Sequence, residues 1–308
     1  MTNTTTASQT PDAPRHGRTG YVALLGRPNT GKSTLLNTVL GQHLAAVSSK
    51  PQTTRRHLMG ILTDDQSQII FLDAPGVHAG KLALDEAMAK SVSRVLEDAD
   101  VLVVMIDPTR EPGAEDELTA RRAAECGKPA ILAVNKTDVA TPEDIARNLA
   151  FYRQHLPAAT SLEIVALERS RVDNLMRTLL AMLPEGPFLY DAEEVTDAYE
   201  RDIAAELIRE VLLELLRQEV PHGVAVAIDT WQEKPRGLKI EATLFIEREN
   251  HKSIIIGRGG QMIARVREAA SSRISAFVEA PVTLNLFVKV AADWRQKKRF
   301  LQDLKLME

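Results

Sequence analysis

Cysteine is almost absent: Cys126 stands alone among 308 residues. One thiol cannot close an intrachain disulfide, and no thiolate cluster exists to hold zinc, so the chain reads as one that works in a reducing compartment. Aromatic residues make up only 4%, so the core must be mostly aliphatic. Long apolar runs are missing as well. Runs such as Val101 to Ile106 fall far short of the ~20 residues a membrane-crossing helix needs, which argues against an integral membrane protein. Met1 to Gly20 is rich in Thr, Ser and Pro without an apolar segment. It reads as neither signal peptide nor anchor, and residues 1–18 are expected to form a disordered tail. Neither sign of charge dominates: 38 Lys and Arg against 42 Asp and Glu give −4. That average signals no polyanionic partner, although it can conceal a basic half.

What is present fits a soluble globular chain, 44% apolar and 26% charged, with length for two domains. From Tyr21 to about Pro184, short apolar runs alternate with amphipathic stretches, the pattern of a βαβ succession and a mostly parallel sheet. Expected strands are Tyr21 to Leu25, Leu58 to Leu62, Gln68 to Asp73, Val101 to Asp107, Ala130 to Asn135 and Glu163 to Ala166. Pro184 to Pro187 and the acidic stretch Asp191 to Glu200 interrupt this alternation, so 19–184 reads as one domain and 185–198 as a linker. A second domain, 199–308, opens with an amphipathic helix carrying Ile203, Leu207, Ile208, Val211, Leu212 and Leu215. Strands Val224 to Trp231 and Leu238 to Ile246, a glycine-broken helical pair, a strand Val282 to Val290 and a charged terminal helix follow. The order is α-β-β-α-α-β.

Directly after the first strand stands Gly26-Arg-Pro-Asn-Thr-Gly31-Lys32-Ser33, a full phosphate-loop signature that occurs once. Its glycines let the backbone curl so that amides meet phosphate oxygens at a helix N-terminus. Lys32 would reach the β- and γ-phosphates and Ser33 would ligate Mg²⁺. Asn135-Lys136-Thr137-Asp138 then selects the base, because a carboxylate at Asp138 can accept from guanine N1–H and the 2-amino group together. Adenine lacks that donor pair, and mispairing would cost on the order of 1–3 kcal/mol or more. Asp73-Ala-Pro-Gly76 ends the third strand, placing Asp73 to hold Mg²⁺ through water and the Gly76 amide to sense a γ-phosphate. Ser49 to Arg56 lies where a threonine completes Mg²⁺ coordination; Thr54 is favoured, with Thr53 the alternative. Both loops can order around a γ-phosphate and relax after hydrolysis.

These motifs, Gly-Arg-Pro-Asn-Thr-Gly-Lys-Ser-Thr-Leu-Leu-Asn with Pro-Gln-Thr-Thr-Arg and Asp-Ala-Pro-Gly-Val-His, resemble the Era-type GTPases. The resemblance implies a P-loop GTPase fold that binds GTP and GDP with Mg²⁺. The nucleotide would be held by Asn29, Thr30, Gly31, Lys32, Ser33, Thr34, Asp73, Gly76, Asn135, Lys136, Asp138 and Ala166. Ser33, Thr54 and Asp73 would hold the metal, and Lys32, Thr54 and Asn29 would serve catalysis. Val77 occupies the position of the water-orienting glutamine of Ras-like enzymes, so intrinsic hydrolysis is expected to be slow. Asn29 matches an asparagine that in some relatives helps hold K⁺; a plain turn-former beside Pro28 is the other reading. One departure stands out. Val165-Ala166-Leu167 replaces the family's Ser-Ala-Leu or Ser-Ala-Lys, and Arg169 replaces the usual glycine, so Ala166 keeps its amide without the serine's loop-fixing hydroxyl.

In the second domain, Ile254-Ile-Ile256-Gly257-Arg258-Gly259-Gly260-Gln-Met-Ile263 fits the core of a KH domain, whose G-x-x-G turn clamps single-stranded RNA. With the α-β-β-α-α-β order this matches the prokaryotic, type II, KH fold. Ile256, Gly257, Arg258, Gly259 and Gly260 are the expected RNA contacts. From His251 to Phe300, ten basic residues face three acidic ones, a local +7 that suits a phosphate backbone. Arg295 to Arg299 reads equally as the solvated face of the terminal helix, and Trp294 and Phe300 as its anchors rather than base-stacking groups. The resemblance spans about Gly17 to the C-terminus. It implies a bacterial, cytoplasmic monomer that binds small-subunit ribosomal RNA near its 3′ end and assists assembly of that subunit, with some peripheral contact at the inner membrane surface. The competing expectation is an RNA-binding assembly chaperone whose nucleotide is mainly structural.

Overall fold

The computed structural model describes residues 15–48, 50, 54–77, 80–216 and 220–307. The first half runs β1 (His16–Leu25), α1 (Lys32–Leu40), β2 (Leu58–Thr63), β3 (Ser67–Asp73), α2 (Ala83–Asp98), β4 (Val101–Ile106), α3 (Ala114–Cys126), β5 (Ala130–Val134), α4 (Pro142–His155), β6 (Thr160–Glu163), α5 (Asp173–Met182) and β7 (Glu185–Pro187). The sheet order is β2-β3-β1-β4-β5-β6. β2 is antiparallel to β3, and the pairs from β3 through β6 are parallel. Side chains alternate between faces: Ala23 and Leu25 join a core with Leu102, Val104 and Leu132, while Val22 and Leu24 join the opposite one with Val103 and Ile131. Both faces are covered, which is why these strands read as continuous apolar runs. Connections leave β1 and β4 in opposite directions, opening a crevice at their carboxyl ends where the phosphate loop lies.

The second half runs α6 (Glu200–Leu215), β8 (Ala225–Lys234), β9 (Gly237–Ile246), α7 (Glu249–Ile256), α8 (Gln261–Phe277), β10 (Val282–Val290) and α9 (Lys298–Asp303). Its sheet order is β10-β9-β8, with β9–β10 parallel and β8–β9 antiparallel. The fold is therefore a P-loop α/β domain followed by an α+β type II KH domain. No helix among the described residues is long and apolar enough to cross a membrane.

Three sequence expectations change. Residues 16–18, expected in the tail, belong to β1: His16 to Arg18 pair with Pro187 to Glu185, and Arg18 N–H donates to Gln66 O at 3.0 Å. Residues 1–14 lie outside the described residues. The linker is a strap. Beyond β7, Gln68 Oε1 accepts from the Leu189 and Tyr190 amides at 2.7 and 3.0 Å, and Gln68 Nε2 donates to Tyr190 O at 2.8 Å. Farther on, Val195 O accepts from Ile61 N–H and Thr196 Oγ1 donates to Met59 O. The sixth strand is Thr160–Glu163, not Glu163 to Ala166. Its partner β5 ends at Val134, and the chain then turns into the site as an irregular segment. The terminal helix is short, and Trp294, fully buried, packs with Leu84, Met88, Ala225 and Leu301. Trp294 and the half-buried Phe300 are anchors. Because Leu84 and Met88 lie on α2, this cluster joins the two domains.

Gln68→Leu leaves the Leu189 and Tyr190 amides without their acceptor. It is expected to cost about 1–3 kcal/mol in urea unfolding, with hydrogen exchange accelerated at residues 189–190 and unchanged in β4.

Candidate functional site

The phosphate loop is held by side chains from the neighbouring strand ends. Gly31 (φ 99°) has Asn135 so close that a Cβ would lie 2.3 Å from Asn135 Nδ2, so no larger residue fits there. That amide donates to Thr30 O at 2.8 Å, and Asn135 Oδ1 accepts from Ala166 N–H at 2.8 Å. Lys136 Nζ donates to Asn29 O at 2.9 Å and pairs with Asp107 at 2.7 Å. Beneath the loop, buried Arg27 donates to Asp107 O and to Asp116 Oδ1, which also accepts from Tyr152 OH at 2.8 Å. Thr30 Oγ1 donates to Arg27 O.

Lys32 is buried, with Nζ donating to Gly26 O and Arg27 O at 3.1 Å. Burial pushes its pKa down to about 8 against the opposing pull of Asp73. Ser33 Oγ donates to Asp73 Oδ2 at 2.6 Å and lies 2.9 Å from Thr54 Oγ1. The three expected metal-binding side chains thus converge. Burial pushes the Asp73 carboxyl up to about 6, opposed by Lys32 and the two hydroxyls. Asp73 Oδ1 is buried with no hydrogen-bond partner among the described residues. A hard divalent cation taking oxygen ligands would satisfy it, so the donor set fits Mg²⁺. Thr53 lies outside the described residues.

A cavity of about 770 Å³ runs from the loop to the base end, lined among others by Asn29, Gly31, Thr34, Lys136, Asp138, Ala166 and Leu167. A smaller one of about 40 Å³ continues it past Lys32, Ser33 and Thr54 to Gly76. Asp138 is exposed at the rim rather than buried. Its desolvation therefore comes only when a base covers it.

In the second domain Gly257, Arg258, Gly259 and Gly260 form the turn between α7 and α8, with Ile256 half-buried and Arg258 exposed. All three glycines have positive φ. A Cβ at Gly257 would meet Met262 at 2.6 Å, whereas one at Gly259 would meet nothing within 4 Å. The basic segment is partly spent on structure: Arg273 pairs with Glu210 and Glu214, Arg295 with Glu247 and Lys252 with Glu249. Arg258, Arg265, Arg267, Lys289, Lys297, Lys298 and Arg299 are exposed and make no ion pair among the described residues.

Comparison with known proteins matches residues 21–136 to the family described as 50S ribosome-binding GTPase and residues 219–295 to the KH domain. The GTPase Era of Heliobacterium modesticaldum is 38% identical, over 92% of this chain and 96% of that protein. That of Clostridium novyi is also 38% identical, over 93% and 98%. The chain belongs to the Era family of GTPases. Among solved structures, Aquifex aeolicus Era bound to GDP and aluminium fluoride superposes with a TM-score of 0.89 at 34% identity, covering 94% of this chain and 100% of that one. Era in complex with MgGDPNP and nucleotides 1506–1542 of 16S ribosomal RNA gives 0.90 at 34%, covering 95% and 100%.

Two departures from the Era pattern have structural counterparts. The Ala166 amide, among the expected nucleotide contacts, closes the Asn135 bridge. Arg169, where the family resemblance leads one to expect glycine, donates to Thr38 O and Val39 O at the last turn of α1. A cation at a helix C-terminus is favourable, and it pins the base loop to the phosphate-loop helix where a serine hydroxyl is missing. Sequence reasoning missed Arg27, Asp107 and Asp116. Asp107 was detectable as a carboxylate ending a strand at the crevice; Arg27 sits at an unconstrained position of the loop signature and gave no signal.

Asp138→Asn replaces an acceptor by a donor at the base edge. GTP affinity is expected to fall roughly 10- to 100-fold or more while xanthosine triphosphate, with a carbonyl in place of the 2-amino group, gains affinity, as measured by competition against a fluorescent nucleotide.

Proposed function

We propose that the chain is a GTP-timed RNA binder. It engages small-subunit ribosomal RNA near the 3′ end while GTP is bound, assists assembly of that subunit, and releases after hydrolysis. The supporting observation is the Ser33–Thr54–Asp73 cluster in one domain, joined in the same chain to a glycine turn that carries exposed Arg258 and leads into a helix with exposed Arg265 and Arg267 in the other. The Era relative bound to MgGDPNP and 16S ribosomal RNA combines the same two ligand types.

In this reading Ser33 and Thr54 would ligate Mg²⁺, and Asp73 would hold it through water. When bound, the ion neutralises charge on the phosphate oxygens. Lys32 exchanges its carbonyl partners for phosphate oxygens, regaining counter-charge lost to burial. Asn29, at φ 66°, contributes its carbonyl region to the charged end of the site, with K⁺ as a further cation there. Water attacks the γ-phosphorus and GDP leaves on its β-phosphate oxygen. Val77 is buried and carries no polar group, so nothing at that position orients the water and intrinsic turnover is slow. Ile256, Gly257, Arg258, Gly259 and Gly260 take the RNA backbone, and the domain boundary falls in the strap 185–198. We place the protein in the cytoplasm as a monomer. Peripheral membrane contact would rest on the exposed Lys297 to Arg299.

Gly259→Asp tests the RNA assignment. Its Cβ meets no neighbour and aspartate tolerates the left-handed region, so the fold should persist while charge and bulk block the phosphate chain. RNA binding in a filter or anisotropy assay is expected to vanish with GTP hydrolysis near normal. Equal loss of both would contradict separate sites.

A further inference from the structure

Arg55, the residue after the metal-binding Thr54, is 2% exposed and lies inside the second domain. Its guanidinium donates to Val224 O and His222 O, each at 2.7 Å, and sits 5.5 Å from the centre of the Trp294 ring. Trp294 Nε1 takes the intervening carbonyl, Gly223 O, at 2.9 Å. Three successive carbonyls therefore face one arginine and one indole. No carboxylate lies within ion-pair distance of Arg55 among the described residues. Neutral acceptors and a ring hold it instead, while the Glu206 and Glu247 carboxylates act on it only from beyond pairing distance, against Arg209 and Arg295.

A buried cation without a carboxylate is costly to keep in place, because carbonyls and a ring return only part of its lost hydration. It makes a poor permanent staple and a good releasable one. The peptide bond between residues 54 and 55 transmits the consequence: wherever the guanidinium is docked, Thr54 is confined to a short arc. In this structure that arc puts Thr54 Oγ1 2.9 Å from Ser33 Oγ and 3.5 Å from Asp73 Oδ2.

We propose that Arg55 is a positioning residue for GTP hydrolysis, holding Thr54 at the metal site by docking into the 222–224 carbonyls and the Trp294 ring. The second domain then helps build the triphosphate-bound arrangement of the first. By linkage, nucleotide state biases the seating of the second domain through the same side chain. The inference rests on Thr54 meeting Mg²⁺, so its test carries Thr54→Ala as a separate arm.

In the full chain, Arg55→Ala removes the fork, and Arg55→Lys keeps the charge but replaces the planar fork and its stacking on Trp294 with a single shorter ammonium. Single-turnover GTP hydrolysis, the Mg²⁺ dependence of binding a non-hydrolysable GTP analogue, and GDP affinity are measured for each. Hydrolysis is expected to slow roughly 10- to 100-fold and the Mg²⁺ requirement to rise, with Arg55→Lys intermediate and GDP affinity unchanged. Adding either substitution to Thr54→Ala should produce no further loss, the signature of two residues acting as a unit. Unchanged hydrolysis, a parallel loss of GDP affinity, or full additivity with Thr54→Ala would overturn the proposal. If Arg55→Ala does not fold, Arg55→Lys is read in the same two backgrounds. Should Thr54→Ala alone hydrolyse GTP normally, the metal assignment fails and the Arg55 role falls with it.

Discussion

The carboxamide of Asn135 joins three segments that are distant in sequence: it donates to Thr30 O in the phosphate loop and accepts from Ala166 N–H in the base loop, while its own backbone ends β5. Beside it Lys136 ties Asn29 O to Asp107. A phosphate loop is a run of backbone aimed inward and has little side-chain packing of its own. Its shape is therefore imposed from outside, by amide and ammonium groups at strand ends. Gly31 is obligatory because the Asn135 amide occupies the volume a side chain would take. The motif expected to select the base is thus structural as well, because the same side chains shape the phosphate loop.

The same economy joins the domains. The loop after α1 is held by Glu210 of α6, whose buried carboxylate accepts from Val47 N–H at 2.9 Å and pairs with His43 and Arg273. Leu44 is counted in the second domain's own apolar core. On the other side, Leu84 and Met88 of α2 pack on Trp294 and Leu301. Segments flanking both γ-phosphate-sensing loops are therefore cemented to the second domain, by a buried carboxylate in one case and apolar contact in the other. Movement of either loop must be paid out in interdomain contacts, which is the physical content of a switch that reports beyond its own domain.

Much of this was legible in the sequence because the responsible signals are local. The strands of the first sheet are buried on both faces and so appear as apolar runs; the glycine turns stand where backbone must approach a ligand. The misreadings have a common origin in long-range pairing. His16 to Arg18 look like tail residues until Glu185–Pro187 returns to pair with them. The strap looks like a linker because its hydrogen bonds go to Gln68 and to the β2 backbone at Met59 and Ile61, which read as ordinary strand residues. Thr160 and Ser161 hide the sixth strand, while the more apolar Ile164 to Ala166 mimic one although they only fill the crevice. Arg27, Arg55 and Arg169 stand in stretches that the sequence singles out, but their partners are not legible there. Each is an arginine whose partners are mainly backbone carbonyls or single carboxylates far along the chain, and nothing in its neighbourhood announces them.

Charge follows the same division between structure and surface. Of the ten basic residues between His251 and Phe300, those nearest α6 and β9 are consumed by Glu210, Glu214 and Glu247, which makes them part of the scaffold. The cations left exposed surround the glycine turn and the chain end. A polyanion held by such groups is released by salt through its counterions. The contact between Arg55 and the 222–224 carbonyls is buried, with no carboxylate at ion-pair distance among the described residues, so salt screens it little. Ionic strength therefore acts on the surface suited to a nucleic acid and leaves the buried seat of Arg55 between the two domains largely untouched.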